Sequence, residues 1–423
     1  MNFKKTTLPN GLRVITVPTK GNPSATVFVL VETGSNYESK AQNGLSHFLE
    51  HMCFKGTTKR PTALDISREL NNLGAMSNAG TSHESTGYYA KANLKHFKKI
   101  LDIVSDLYLN PTLPAGELEK ERGVILQEIS MYEDLPQHKV YDALNQLLYG
   151  DTPAGRSIGG SRKNVKKFSR ADFVNYRDKH YIAQKTTIII AGDIRYSEAI
   201  AEVKKHFKNI PRGKVYGKDK VIERQKVPAL KIHKKKTDQT HLILACRGFS
   251  AGDKRAAALN IMATILGRGS SSRLFQKMRE EMGACYYIKA GIGDYTDHGM
   301  LAISAGIEAR RLEEVVRVLL AECKKLKEEP VSPEELNKAK EYFVGRMYLD
   351  LETTDSIADF YVDQVVETKK IKTPNELEKE IRKVTAKEVM KVAKDIFKDE
   401  NLNLAIVGNI KNPKAVKKVL TLK

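Results

Sequence analysis

The chain has 423 residues, 41% hydrophobic and 29% charged, the balance of a folded protein too long for one core and so built of more than one domain. Cys53, Cys246, Cys285 and Cys323 are scattered without a CxxC pair, no signal-peptide h-region opens the chain, and no apolar run spans a bilayer; together these point to a cytoplasmic protein with reduced thiols and no membrane partner. The net charge of +20 is spread over lysine-rich helix faces, and clusters such as His233-Lys234-Lys235-Lys236 lack interleaved aromatics, so nucleic acid is not an expected partner.

Asn10-Gly11 between apolar runs predicts a two-residue hairpin turn. Residues 25–31 (ATVFVLV) read as a buried strand that ends near Gly34. His47-Phe48-Leu49-Glu50-His51 follows on a helix. At 100° per residue His51 lies about 40° around from His47 and Glu50 about 60° to the other side, so all three share one face. Cys53 falls about 200° around from His51 and points away from that face. Residues 76–94 alternate and are rich in Thr and Tyr, the pattern of a strand pair, and residues 97–109 and 118–132 carry helical spacing. On the second of these helices Glu121 and Glu128, seven residues apart, look the same way. An apolar strand over 187–194 closes the first half, and the aperiodic polar stretch from Pro211 to about Pro228 reads as a linker.

The second half repeats the first. Residues 241–246 with Gly248 match 25–31 with Gly34 at an offset of 214, Ser332 to Leu336 match Leu113 to Leu118 near 218, and Gly408 matches Gly192 at 216. Anchors in one order at nearly constant spacing mark a duplicated domain. Sequential hairpins beside runs of helix predict an α+β class: two homologous domains, each a mostly antiparallel sheet packed with helices. The division is 1–212, a linker over 213–228, and 229–423.

Two imidazoles four residues apart can share one tetrahedral zinc, and the Glu beside them can handle the proton of an attacking water; the order is H-x-x-E-H. A catalytic zinc takes a third protein ligand, and Glu121 and Glu128 both qualify by face. In the second copy His47, Glu50 and His51 map onto Ile261, Thr264 and Ile265, and Glu128 onto Arg346. Only the first half is equipped for a metal.

These residues resemble the zinc peptidase family of pitrilysin, insulin-degrading enzyme and mitochondrial processing peptidase. The resemblance runs through Leu8-Pro9-Asn10-Gly11-Leu12, Gly34 with Glu38, HFLEHMCFKGT from His47 to Thr57, Asn78-Ala79 with Thr81, and Gly192-Asp193. It continues through 266–275 (LGRGSSSRLF) and Met278-Arg279-Glu280. It implies that Glu128, 77 residues beyond His51, is the third ligand to one zinc per chain, and that Glu121 orients a ligating His. It implies that Arg279 and Tyr286 bind the substrate backbone, with Tyr287 the fallback because relatives carry a smaller residue there. Asn78 and Ala79 would pair with an extended substrate by strand addition. The implied protein is a clamshell of two domains and a zinc-dependent endopeptidase acting on unfolded peptides in an enclosed chamber. It would form a homodimer or pair with a homologous chain; the competing reading is a non-catalytic core subunit of a peptidase complex.

Overall fold

The computed structural model describes residues 2–368 and 370–422. In the first sheet β1 (Lys4–Thr7), β2 (Arg13–Pro18), β3 (Ser24–Val31), β4 (Met76–Thr81), β5 (Thr86–Asn93) and β6 (Thr186–Gly192) are ordered β1-β2-β6-β3-β5-β4. In the second, β7 (Ala229–Lys234), β8 (Thr240–Arg247), β9 (Cys285–Asp294), β10 (Gly299–Ile307) and β11 (Leu402–Gly408) are ordered β7-β11-β8-β10-β9. Without β1 the two orders coincide. Each sheet has a single parallel pairing, β2 with β6 and β7 with β11. Both β3 to β8 and β6 to β11 are displaced by 216 residues. The architecture is α+β and duplicated.

The first turn is wider than its Asn10-Gly11 suggested. Thr7 pairs with Arg13, which leaves residues 8–12 as the connection. Pro9 sets its own φ near the value that the second position of a β-turn needs, the Gly11 amide bonds Leu8 O at 2.8 Å, and Gly11 takes φ +92°. Proline ahead of the Asn-Gly pair starts the turn one residue early.

By internal contacts the molecule divides into one unit of residues 1–130, 156–219 and 349–373 and another of 131–155, 220–348 and 374–423. Neither is a continuous half of the chain. In the first unit, odd-numbered Ala25, Val27, Val29 and Val31 of β3 enter a core with Ile100, Leu101 and Val104 of helix Phe97–Leu109. The other side of β3 and β6 is covered by helix Thr354–Glu367. Thr26 Oγ1 donates to Thr354 Oγ1 at 2.9 Å, and Lys91 pairs with Asp355 at 2.7 Å. In the second unit Leu242, Leu244 and Cys246 face Leu259, Met262 and Leu266. Ile243 and Ala245 face Val140, Leu144 and Leu148 of helix Pro136–Tyr149. The covering helices begin at residues 136 and 354 and end at 149 and 367, a constant displacement of 218. The central strands are therefore packed on both faces, which is why they read as unbroken apolar runs.

The 211–228 stretch has no regular structure but is bonded along its length. Tyr216 O accepts from the buried Lys185 Nζ at 3.0 Å and Lys218 pairs with Glu84 at 3.1 Å in the first unit. The Val221 amide bonds Asp297 Oδ2 at 2.9 Å, and Glu223 pairs with Arg247 at 3.1 Å in the second.

Candidate metal centre

Helix Leu45–Cys53 starts after Gly44, whose φ of +101° lies in the left-handed region that glycine tolerates. A Cβ there would also stand 2.9 Å from backbone atoms of Gly159 and Gly160. The helix has no capping side chain at its own N-cap; Glu38 serves instead. Its Oε1 accepts the Ser46 amide at 2.6 Å and its Oε2 the Gly44 amide at 2.8 Å, at the end where the helix dipole favours an anion. Burial nevertheless pushes the Glu38 carboxyl up to about 7. Leu45, Phe48, Leu49 and Met52 enter the core, and that spacing turns His47, Glu50 and His51 away from it.

Helix Ala115–Asp134 delivers the third group. Glu128 Oε2 lies 3.6 Å from His47 Nε2 and 3.7 Å from His51 Nε2, and the three ligand atoms all fall within 4.8 Å of one another. These distances are too long for hydrogen bonds, and Glu128 Oε2 is buried without a hydrogen-bond partner. One cation among the three atoms accounts for both facts. Zinc bonds of 2.0–2.1 Å in a tetrahedron hold ligand atoms about 3.4 Å apart, close to the observed spacing. The donor set fits zinc.

Around this cluster the chain supplies supports. His51 Nδ1 is 2.9 Å from Glu121 Oε1, and Lys55 Nζ is 2.6 Å from Glu121 Oε2. With Nδ1–H donated to Glu121, the lone pair of His51 sits on Nε2, facing Glu128. Burial, then the neighbouring His51, brings His47 down to about 4, so it presents the neutral ring that a metal needs. Burial also disfavours charge on His51, but the Glu121 hydrogen bond and the charges of Glu50 and Glu128 outweigh it and raise its pKa. Burial raises that of Glu50, partly offset by a hydrogen bond from Thr81 Oγ1 to Glu50 Oε2 at 2.5 Å. A cleft opens beside these groups, lined by Glu50, His51, Lys55 and Glu121 with Phe54, Ile66, Leu70, Asn71, Ser77, Asn78 and Ala79. Asn78 and Ala79 lie on β4, an edge strand whose partner in the sheet is β5 alone.

The structure thus gathers His47, Glu50, His51, Glu121 and Glu128 at one point, with Asn78 and Ala79 on the same cleft. Arg279 and Tyr286 belong to the other unit. There Arg279 Nη1 donates to Tyr286 O at 3.0 Å, and its guanidinium lies 5.8 Å from the centre of the Tyr286 ring. Tyr286 is 73% exposed, whereas the Tyr287 hydroxyl is bonded to His241 Nδ1 at 3.0 Å. Sequence reasoning gave no role to Lys55, Thr81 or Glu38. All three stand in the stretches that carry the family resemblance, but their contacts span 66, 31 and 8 residues.

Two family models match the chain: "Insulinase (Peptidase family M16)" over residues 13–162 and "Peptidase M16 inactive domain" over 167–343. The sequence is 33% identical over 408 residues to "Uncharacterized zinc protease YmxG" of Bacillus subtilis, covering 96% of this chain and 98% of that one. The chain belongs to the insulinase family, peptidase family M16. Among other M16 relatives, the uncharacterized zinc protease Rv2782c of Mycobacterium tuberculosis is 32% identical, with 96% of this chain and 93% of the relative covered. The solved structure of a protease from Helicobacter pylori superposes with a TM-score of 0.89 at 21% identity, over 96% of this chain and 99% of that one. A peptidase M16 inactive domain from Pseudomonas fluorescens gives 0.89 at 19%, over 98% and 100%. These likenesses confirm the fold and the family, a family of zinc proteases by the names of its members. The region matching the M16 inactive domain contains Ile261, Thr264 and Ile265, all buried. No helix among the described residues is long and apolar enough to cross a membrane.

Proposed function

We propose that this chain is a zinc-dependent endopeptidase that cleaves unfolded peptides or short protein segments. The observation that carries the reading is the convergence of His47, His51 and the unpartnered Glu128 Oε2 beside Glu50, on a cleft bordered by an edge strand. Zinc held by His47, His51 and Glu128 would supply Lewis acidity, polarising the scissile carbonyl and acidifying a water. Glu50 takes the proton of the attacking water and returns it to the leaving amine. Burial, which raises its pKa, suits it to both transfers. Glu121 fixes the ring of His51, and Lys55 holds Glu121 in turn. Asn78 and Ala79 offer the free edge of β4 to the substrate main chain; strand addition reads backbone, so broad sequence tolerance follows. Arg279 and Tyr286 bind the substrate backbone, and Tyr286 is favoured over Tyr287 because the latter's hydroxyl is already engaged by His241.

The chain carries both the metal ligands and the Arg279–Tyr286 pair, so a homodimer suffices as the working assembly, which light scattering on the purified protein tests. The decisive measurement is zinc content and peptide cleavage for the native protein and for Glu50→Gln. The variant is expected to keep its zinc and lose cleavage. Equal cleavage by the two refutes the mechanism, and a native protein without zinc favours a non-catalytic core subunit.

A further inference from the structure

We propose that Thr81 is a positioning residue for Glu50 and that, through it, β4 sets the place of the proton-transfer carboxylate as well as that of the substrate main chain. The kinetic part rests on the peptidase reading above; the geometric part does not.

The Thr81 hydroxyl donates to Glu50 Oε2 at 2.5 Å. Short hydrogen bonds to an ionised acceptor are strong and directional, and this one occupies Oε2, which leaves Oε1 to exchange the proton. The donor stands on a stiff platform. Threonine has few χ1 choices, and Thr81 closes β4 in register with Thr86. The turn after it is closed by the Ser82 amide on Ser85 O at 2.8 Å. That turn is pinned from outside by Ser35 N to Ser82 O at 3.2 Å and Asn36 N to His83 O at 2.7 Å. Gly34 approaches so closely that a Cβ on it would stand 2.2 Å from Ser82 O. Ser77, Asn78 and Ala79 of the same strand line the cleft. An extended peptide added to the edge of β4 is thereby registered against the strand that holds the base. Valine has the shape of threonine without the hydroxyl, and would leave the half of Glu50 that faces it buried without a donor.

The test compares Thr81→Val and Thr81→Ser in zinc content, in kcat and KM for a peptide, and in crystal structures. Thr81→Val is expected to retain zinc, to keep KM within about twofold, and to lose roughly tenfold to a hundredfold in kcat, the scale of a misplaced catalytic group. Thr81→Ser is expected to restore most of kcat. In the crystals the Glu50 carboxylate should take another rotamer in the valine variant and the native one in the serine variant. Native kcat in Thr81→Val, equal losses in both variants, or a native Glu50 position in the valine crystal overturns the proposal. If the native protein cleaves nothing, the peptidase reading fails, and the position of Glu50 in the valine crystal decides the role of Thr81 independently.

Discussion

Removing the Glu121 carboxylate should weaken zinc binding although no ligand is lost. Among the described residues Glu121 holds His51 Nδ1, at 2.9 Å, and its other oxygen is 2.6 Å from Lys55 Nζ. Loss of such a carboxylate partner to a ligating histidine costs about tenfold to a hundredfold in metal affinity, or roughly 1.4–2.7 kcal/mol. The structure places Glu121→Ala at the upper end. Burial works against charge on Glu121, yet the hydrogen bonds from His51 and Lys55 keep its pKa below the ordinary value, so an anion is what the site loses. Lys55 is then left as an uncompensated cation beside the metal. Glu121→Gln keeps an acceptor for His51 and loses only the charge, so roughly half the penalty is expected, about 1.4 kcal/mol. Competition against a chromophoric chelator at fixed pH gives the affinities, with circular dichroism to show that the fold persists. Native affinity in Glu121→Ala, or equal losses in the Ala and Gln variants, refutes the reasoning.

Leu144→Ala should cost about 2–5 kcal/mol, because Leu144 is fully buried between helix Pro136–Tyr149 and the second sheet. Hydrogen exchange should then show protection lost in β8 and β11, some hundred residues or more downstream. Burial pushes the Asp102 carboxyl up, but hydrogen bonds from Lys59 and Arg60 outweigh it and hold it at about 2, below its ordinary 3.8. A carboxyl that binds protons more weakly when folded contributes stability above 3.8 that is lost as pH falls through about 2. Urea unfolding should therefore find Asp102→Asn less stable than the native protein at pH 7 and equal to it near the lower value. Residues 1–212 expressed alone lack helix Thr354–Glu367 and leave one face of β3 and β6 bare. That fragment should bind a hydrophobic dye and unfold without cooperativity, and a cooperative, dye-silent fragment would contradict the packing described.

The candidate metal ligands were legible because their spacing is local. Four residues put His47 and His51 on one helix face, and seven put Glu121 and Glu128 on another. Spacing alone did not say which glutamate joins the two imidazoles. That division comes from helix Ala115–Asp134 lying so that Glu128 reaches both Nε2 atoms while Glu121 reaches His51 Nδ1. The duplication was legible as well, since strands buried on both faces keep their apolar runs in each copy. What covers the second face was not. An apolar Ile243 announces that something packs on it, but nothing local says that the partner is Leu144. Thr81 and Glu38 escaped for the same reason: each acts through one hydrogen-bonding group on a helix it does not belong to. The width of the first turn was misread because Pro9, one residue earlier, competes with Asn10-Gly11 for the corner.

Two helices displaced by 218 residues, each completing the sheet of the other copy, are what a swapped pair of half-length chains leaves behind once duplication and fusion join them end to end. The first copy carries His47, Glu50, His51 and Glu128, and the second has Ile261, Thr264, Ile265 and Arg346 at the matching positions. The exchanged helices would then have outlived the symmetry that produced them, keeping the divergent copies bound to a common fate in folding.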